Sequence, residues 1–242
     1  MFDIFIKPTT LHIDCFTSSK KVYDFAPIQY SSKFFPEWWK KLPKETFSEN
    51  KDKLYSTMKT CTGFLSLYKN SIIIPCWEDI LFNVNETELK CSSVSRSVKF
   101  EAHNYKQREG YLKNFHHTKI ISPWHFKCKH DVNFSWQKPM YNFENPIDFI
   151  LMDGVLSFKY QNATNINLLF RKSPKTVMIE FLQPLVLLTP HTEKRLIFKN
   201  HLVSEQDFVQ QFNDKTIKYI NSHNTVKNLI DEKDRKKCPF HF

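Results

Sequence analysis

The sequence predicts a mostly β fold with a C-terminal helical extension. Three observations carry this. First, residues 146–190 hold three or four apolar runs, each too short for a helix and separated by turn residues. Second, Asn165 to Arg171 alternates, with Ile166, Leu168 and Phe170 on one face. Third, from Ser204 onward the apolar residues change to helical spacing. The expected organisation is a β-rich core over 1–203, with an aromatic arm at 34–43, and a helical extension and tail over 204–242.

Taken in order, Phe2, Ile4 and Ile6, then Leu11, Ile13 and Cys15, alternate as one or two strands, with a turn at Thr17 to Lys21. The arm FFPEWWKKLP predicts a short helix beginning at Pro36. Trp38 and Trp39 then point in different directions, one inward and one over a groove or a partner; both are candidate partner-binding residues. Residues 44–53 read as a loop. Cys61 to Tyr68 reads as a short helix and Ser71 to Ile74 as a buried strand. Ile80, Phe82 and Val84 alternate as another strand, Asn85-Glu86-Thr87 is a hairpin turn, and Leu89 to Phe100 is a further strand. His103 to Thr118 reads as a loop. Lys119 to Phe134 reads as two strands kinked at Pro123, and Ser135 to Asn145 as a long loop.

Strands are then expected at Ile147–Leu156, Asn165–Arg171, Val177–Leu182 and Leu185–Leu188. Prolines 184 and 190 bracket the last, as they should at strand ends. Leu196 to Phe198 adds a short strand. Ser204 is placed to cap a helix whose stripe is Phe208, Val209, Phe212, Ile217 and Ile220, continued by Val226, Leu229 and Ile230. The chain then ends in an extended CPFHF.

With 242 residues, 23 phenylalanines and three glycines, the chain can bury a large core, but it must build turns from Asn, Asp, Lys and Pro. The net charge of +10 permits a polyanionic partner. The lysines are scattered, however, and the densest run, DEKDRKK, mixes signs, which weakens a nucleic-acid reading. Six cysteines without CxxC spacing read as reduced thiols of a cytoplasm. Asp3, Lys7 and Pro8 break any leader-like apolar run, and no run approaches the roughly 18 residues of a membrane span.

Candidate chemistry is sparse. His125, Cys128 and His130 form HxxCxH, and on a strand Cys128 and His130 share a face while His125 lies on the other. His191-Thr192-Glu193, like His12-Ile13-Asp14, matches the His-x-acid half of a facial triad. Any of these would suit a metal-dependent, cupin-like barrel enzyme if the ligands converged. Three separated glycines cannot form a phosphate loop, and no hydrolase, zinc-protease or kinase signature occurs. No cofactor is therefore expected.

GVLSFKY at 154–160, a following strand, and LQPLVLL at 182–188 resemble the β-clip of trimeric dUTPases and dCTP deaminases. The resemblance covers about a quarter of the chain. It implies a β-clip fold and a trimer. It also implies a pyrimidine packed on Tyr160; Asn162, Asn165 and Asn167 are then candidates to line the pocket, with turn and edge-strand positions as their alternative reading. Ser157 stands where that family has its water-activating aspartate; the Arg-Ser-Ser/Gly phosphate motif has no counterpart in 135–142, and the glycine-rich C-terminal lid is missing. A serine without a base cannot take a proton from water as a carboxylate does.

A wider set of segments (FPEWWKKLP, MKTCTGFLSLYKNSIIIPCWEDI, SPWHFKC, QPLVLLTPHTEK and KNHLV among them) is similar to a protein family of marine bacteriophages, cyanophages included. That resemblance spans roughly residues 30–242. It implies a phage source and a location in the host cytoplasm or the virion. The expectation is a non-catalytic structural or interaction protein, homo-oligomeric or bound to other phage proteins. A nucleotide-binding or nucleotide-processing protein and a metal enzyme are the alternatives.

Overall fold

The fold follows from how the alternating strands bury one face each. A computed structural model describes residues 9–95, 98–102, 110–162, 165–212, 227, 231 and 232. Strand β1 (Thr10–Thr17) buries Leu11, Ile13 and Cys15 on one face. Its neighbours are β10 (His125–Cys128), antiparallel, and β17 (Arg195–Leu202), parallel. The parallel pairing joins the two ends of the described core.

A five-stranded sheet runs β13 (Gly154–Ser157), β11 (Asn133–Gln137), β16 (Pro184–Pro190), β5 (Ile72–Pro75) and β2 (Gln29–Tyr30). A four-stranded sheet runs β12 (Ile150–Leu151), β14 (Asn165–Arg171), β9 (Phe115–Ile121) and β8 (Phe100–Ala102). A three-stranded sheet runs β15 (Lys175–Ile179), β6 (Ile80–Val84) and β7 (Leu89–Ser93). Strands β3 (Glu45–Phe47) and β4 (Leu54–Ser56) pair only with each other. The fold is thus mostly β, and no sheet closes into a barrel among the described residues.

The sheets meet at one apolar core. Phe82, Phe126, Phe134 and Phe170, one from each of four sheets, are fully buried in it. Phe82 lies 4.6 Å from Phe170, and Phe158 lies 4.8 Å from Phe126 and 5.1 Å from Phe134, measured between ring centroids. Offset rings at these distances fill volume that smaller residues would leave empty. Scarce glycine shows in the turn before β16. There Leu182 takes a left-handed backbone, φ 65°, held by its N–H on the Cys76 carbonyl and by Asp79 on the Phe181 N–H.

Among the described residues the helices beside the sheets include α1 (Lys20–Phe25), α2 (Glu37–Lys41), α3 (Thr62–Lys69) and α4 (Glu205–Phe212). The expected helices α2, α3 and α4 are present. Ser204 caps α4 by accepting from the Asp207 N–H at 3.1 Å. Phe212 is buried on the β core, so this part of the extension is docked. The continuing stripe from Ile217, the CPFHF end, and Phe2, Ile4 and Ile6 lie outside the described residues. None of the described helices is long and apolar enough to cross a membrane. Cys15, Cys61, Cys76, Cys91 and Cys128 are free thiols.

Several expected boundaries are corrected. The turn at Thr17 to Lys21 runs into α1, because Ser19 accepts from the Val22 N–H and starts a helix. The 44–53 loop begins a hairpin, β3–β4, whose residues are all exposed and so carry no burial alternation. Phe115 to Thr118, expected in a loop, opens β9, and Ser135 to Gln137 belongs to β11. The run Ile147–Leu156 splits into β12 and β13, which enter different sheets. Leu89–Phe100 likewise divides into β7 and β8.

Candidate ligand cavity

The structure scatters the sequence-selected metal residues. His125, on β10, packs under α4, with Phe208 at 4.5 Å and Phe212 at 4.8 Å between centroids. Its Nδ1 is buried without a hydrogen bond among the described residues, and burial lowers its pKa to about 4. Cys128, on the opposite face of β10, donates to the His12 carbonyl at 3.4 Å. His130 lies in the turn beyond. His191 follows β16 and shares a 2.5 Å hydrogen bond with Ser135, while Glu193 is exposed in the next turn. Among the described residues, no three His, Cys, Asp or Glu side chains gather as a metal set. The Ser135–His191 pair has no acid behind its imidazole among those residues, and a nucleophilic serine needs one.

The four ligand-binding candidates also separate. Tyr160 is buried, and its hydroxyl lies 3.0 Å from both Asp131 and Asp231. Lys159 pairs with Asp231 at 2.9 Å and holds that carboxyl below the usual carboxylate range. Asp231 therefore holds the hydroxyl end of this ring, and Lys227 Nζ lies 5.3 Å from the ring centre. Asn162 is buried in the same turn, and its carbonyl accepts from the Phe126 N–H. Asn165 is exposed at the start of β14, and Asn167 meets His117 Nε2 at 3.1 Å. Ser157 Oγ is buried with no hydrogen bond among the described residues.

Neither tryptophan of α2 is buried. Trp39 stacks on Phe35 at 4.3 Å, with Lys59 Nζ 4.0 Å from its ring centre, and donates Nε1–H to the Met58 carbonyl. Trp38 is 44% exposed and donates to the Tyr141 carbonyl. Both rings thus hold the arm across α3 and the 138–142 turn.

Beside that arm lies a cavity of about 650 Å³. Its walls come from α3, the segment 137–153, β9, β14 and β15, with Leu187 of β16. Tyr68 of α3 donates to Asn142 Oδ1 at 2.8 Å, and Asn142 in turn donates to the Phe34 carbonyl, tying the cavity rim to the arm. Burial, with Tyr141 nearby, raises the Tyr68 pKa to about 12, so the phenol stays protonated.

Lys138 is the buried cation of this cavity. Its Nζ donates to the Pro146 and Phe149 carbonyls at 2.9 and 2.8 Å, and lies 3.4 Å from the Phe149 ring centre. Desolvation lowers its pKa to about 8, with Asp148 opposing and Lys175 adding to the shift. The ammonium form still predominates at neutral pH by about tenfold. Two of its three protons are taken by carbonyls, so Lys138 anchors the 146–149 segment and is not poised as a nucleophile. Lys175 donates to the Asp148 carbonyl, and burial lowers its pKa too. Arg171 completes the cations and makes no ion pair among the described residues.

Sequence reasoning missed Lys138, Arg171 and Lys175. A buried lysine in WQKPMY carries no pattern, and its carbonyl partners sit eight and eleven residues away on a loop. Arg171 had one usable signal: it ends the odd-numbered register of β14, on the face of Leu169. No protein-family model matches the chain, and no curated protein matches it.

Proposed function

We propose that the protein is a non-catalytic structural or interaction protein of a bacteriophage, working in the host cytoplasm or the virion as a homo-oligomer. On the finer fold reading, its core is a β-clip and its assembly a trimer. The order β13, β14, β15, β16, with Tyr160 in the turn after β13, supports the β-clip reading.

The observation that carries the interaction reading is the β3–β4 hairpin. Phe47 is 63% exposed, Leu54 49% and Tyr55 47%, on strands that pair with no other described sheet. An isolated two-stranded hairpin is marginal in water, and exposed aromatics on both its faces are suited to docking. The Ser157 hydroxyl, without a base to activate water, supports a non-catalytic role.

Light scattering after size exclusion tests this. The wild-type chain is expected to run as an oligomer, and the Phe47→Ser/Tyr55→Ser double variant as a folded monomer. A wild-type monomer at tens of micromolar, roughly the range of modest interfaces, would overturn the reading. Detection of the polypeptide in purified particles would separate virion from cytoplasm.

A second reading is favoured by Tyr160 and Asn162 lying in one turn beside Lys159. It is a deoxynucleotide-binding protein in which the Asp231 segment must move aside. A saturating deoxynucleoside triphosphate is expected to raise Tm, by about 2.7 kcal/mol of stabilisation at a hundredfold excess over Kd. An unchanged Tm at millimolar ligand would sink it.

A further inference from the structure

We propose that the cavity between α3, β14 and the 138–151 segment binds a small organic monoanion, an acidic group carried on an apolar ring body. This goes beyond the oligomeric role, since the cavity does not include the exposed hairpin residues.

The charge balance is the first support. Lys138, Arg171 and Lys175 face Asp148 and Asp153 across one space, three positive groups against two negative, leaving one positive charge. The repulsion is already felt, because Lys175 disfavours the charged form of Lys138. An anion entering here relieves that repulsion rather than adding to it.

The second support is the division of labour among the cations. Lys138 is committed to the Pro146 and Phe149 carbonyls and Lys175 to that of Asp148. The Arg171 side chain makes no hydrogen bond or ion pair among the described residues, and Arg171 stands exposed on the cavity wall. A guanidinium presents a planar fork that matches carboxylate, sulfonate or phosphate oxygens two at a time. The acidic group therefore sits near Arg171, at the solvent side.

The third support is the lining. Tyr141, Phe149, Phe115 and Leu169 line the remaining volume. A volume near 650 Å³ falls inside the roughly 300–1,000 Å³ range of small-molecule sites. A mostly apolar wall with a few placed polar groups favours a ring body with one charged end over a highly charged ligand.

A matched pair of dyes tests both halves. Anilinonaphthalene sulfonate carries the ring body and the charge; N-phenyl-1-naphthylamine carries the rings alone. With the full chain in low salt at neutral pH, the sulfonate is expected to bind one saturable site with enhanced, blue-shifted emission. The neutral dye is expected to bind about tenfold more weakly, the loss of one charge-assisted contact. Arg171→Gln should weaken the sulfonate by a similar factor and leave the neutral dye unchanged. Met140→Trp, which fills the space from an exposed position, should abolish both. Displacement by phenylacetate or by benzenesulfonate then assigns a carboxylate or a sulfonate ligand. The proposal is overturned by the lack of a saturable site, by equal affinity for the two dyes, or by indifference to Arg171→Gln. None of these outcomes alters the oligomer result, which is read from the hairpin variants.

Discussion

Phe170→Ala is expected to destabilise the protein by about 3–5 kcal/mol, the usual range for removing a buried ring. For a chain of this size that lowers Tm by roughly 10 °C. Phe170 is fully buried on β14, inside the four-stranded sheet, and contacts rings from two other elements: Phe82 on β6 and Phe149 in the segment that Lys138 anchors. The alanine leaves a cavity where two sheets meet, and the strands on either side are too constrained by their ladders to collapse into it. Thermal unfolding by circular dichroism checks the prediction. Phe47→Ala is the control: it removes an equally large ring from an exposed site and should move Tm by little in the monomer. A loss below about 1 kcal/mol at Phe170 would mean that the sheets do not share one core.

Acidification is expected to be nearly as damaging, and for a different reason. His125 has its pKa lowered to about 4 by burial beneath α4. In the unfolded chain the same imidazole titrates near 6.5. Between those values the unfolded state binds the extra proton, so stability falls as pH falls from about 6.5 to about 4. It is unaffected by this group above the window and levels off below it. The full shift corresponds to a loss on the order of 3 kcal/mol. The cation would gain some attraction from the Phe208 and Phe212 rings, but Lys127, 4.8 Å from the Phe212 ring centre, opposes a second positive charge there. Urea midpoints at pH 7.5 and 4.5 measure the loss. His125→Phe keeps a ring against α4 and removes the proton site, so most of the pH difference should vanish. If the variant keeps the wild-type difference, the acid sensitivity lies elsewhere.

The sequence was most legible where one face of an element is buried and the other wet. Ile166, Leu168 and Phe170 alternate because β14 has the core on one side, and the structure buries all three. The Ser204 cap and α4 were readable because a capping side chain acts within three residues of itself. The split of 147–156 was not readable. Met152 and Asp153 fall between the two strands and Gly154 already opens β13, so only the different sheet partners of β12 and β13 separate them. The β3–β4 hairpin was missed for the opposite reason: exposed on both faces, it leaves no period to find.

The candidate metal and nucleotide residues show the same limit more sharply. HxxCxH gives a spacing, but ligation needs convergence in space, and β10 sends His125 toward α4 and Cys128 toward β1. The cavity cations come from positions 138, 171 and 175, and nothing in their local sequence marks them as neighbours.

Composition and periodicity alone established a mostly β chain, rich in aromatic rings and poor in glycine, with an amphipathic helix after the last strand. These properties arise from each residue's own period and burial preference, which a linear string preserves. Tertiary structure decided which strands share a sheet and that α4 packs over His125. It also put three cations around a single cavity. Each of these depends on contacts between residues tens of positions apart, whose free energy is set by distance and dielectric in the folded chain and leaves no trace in local order.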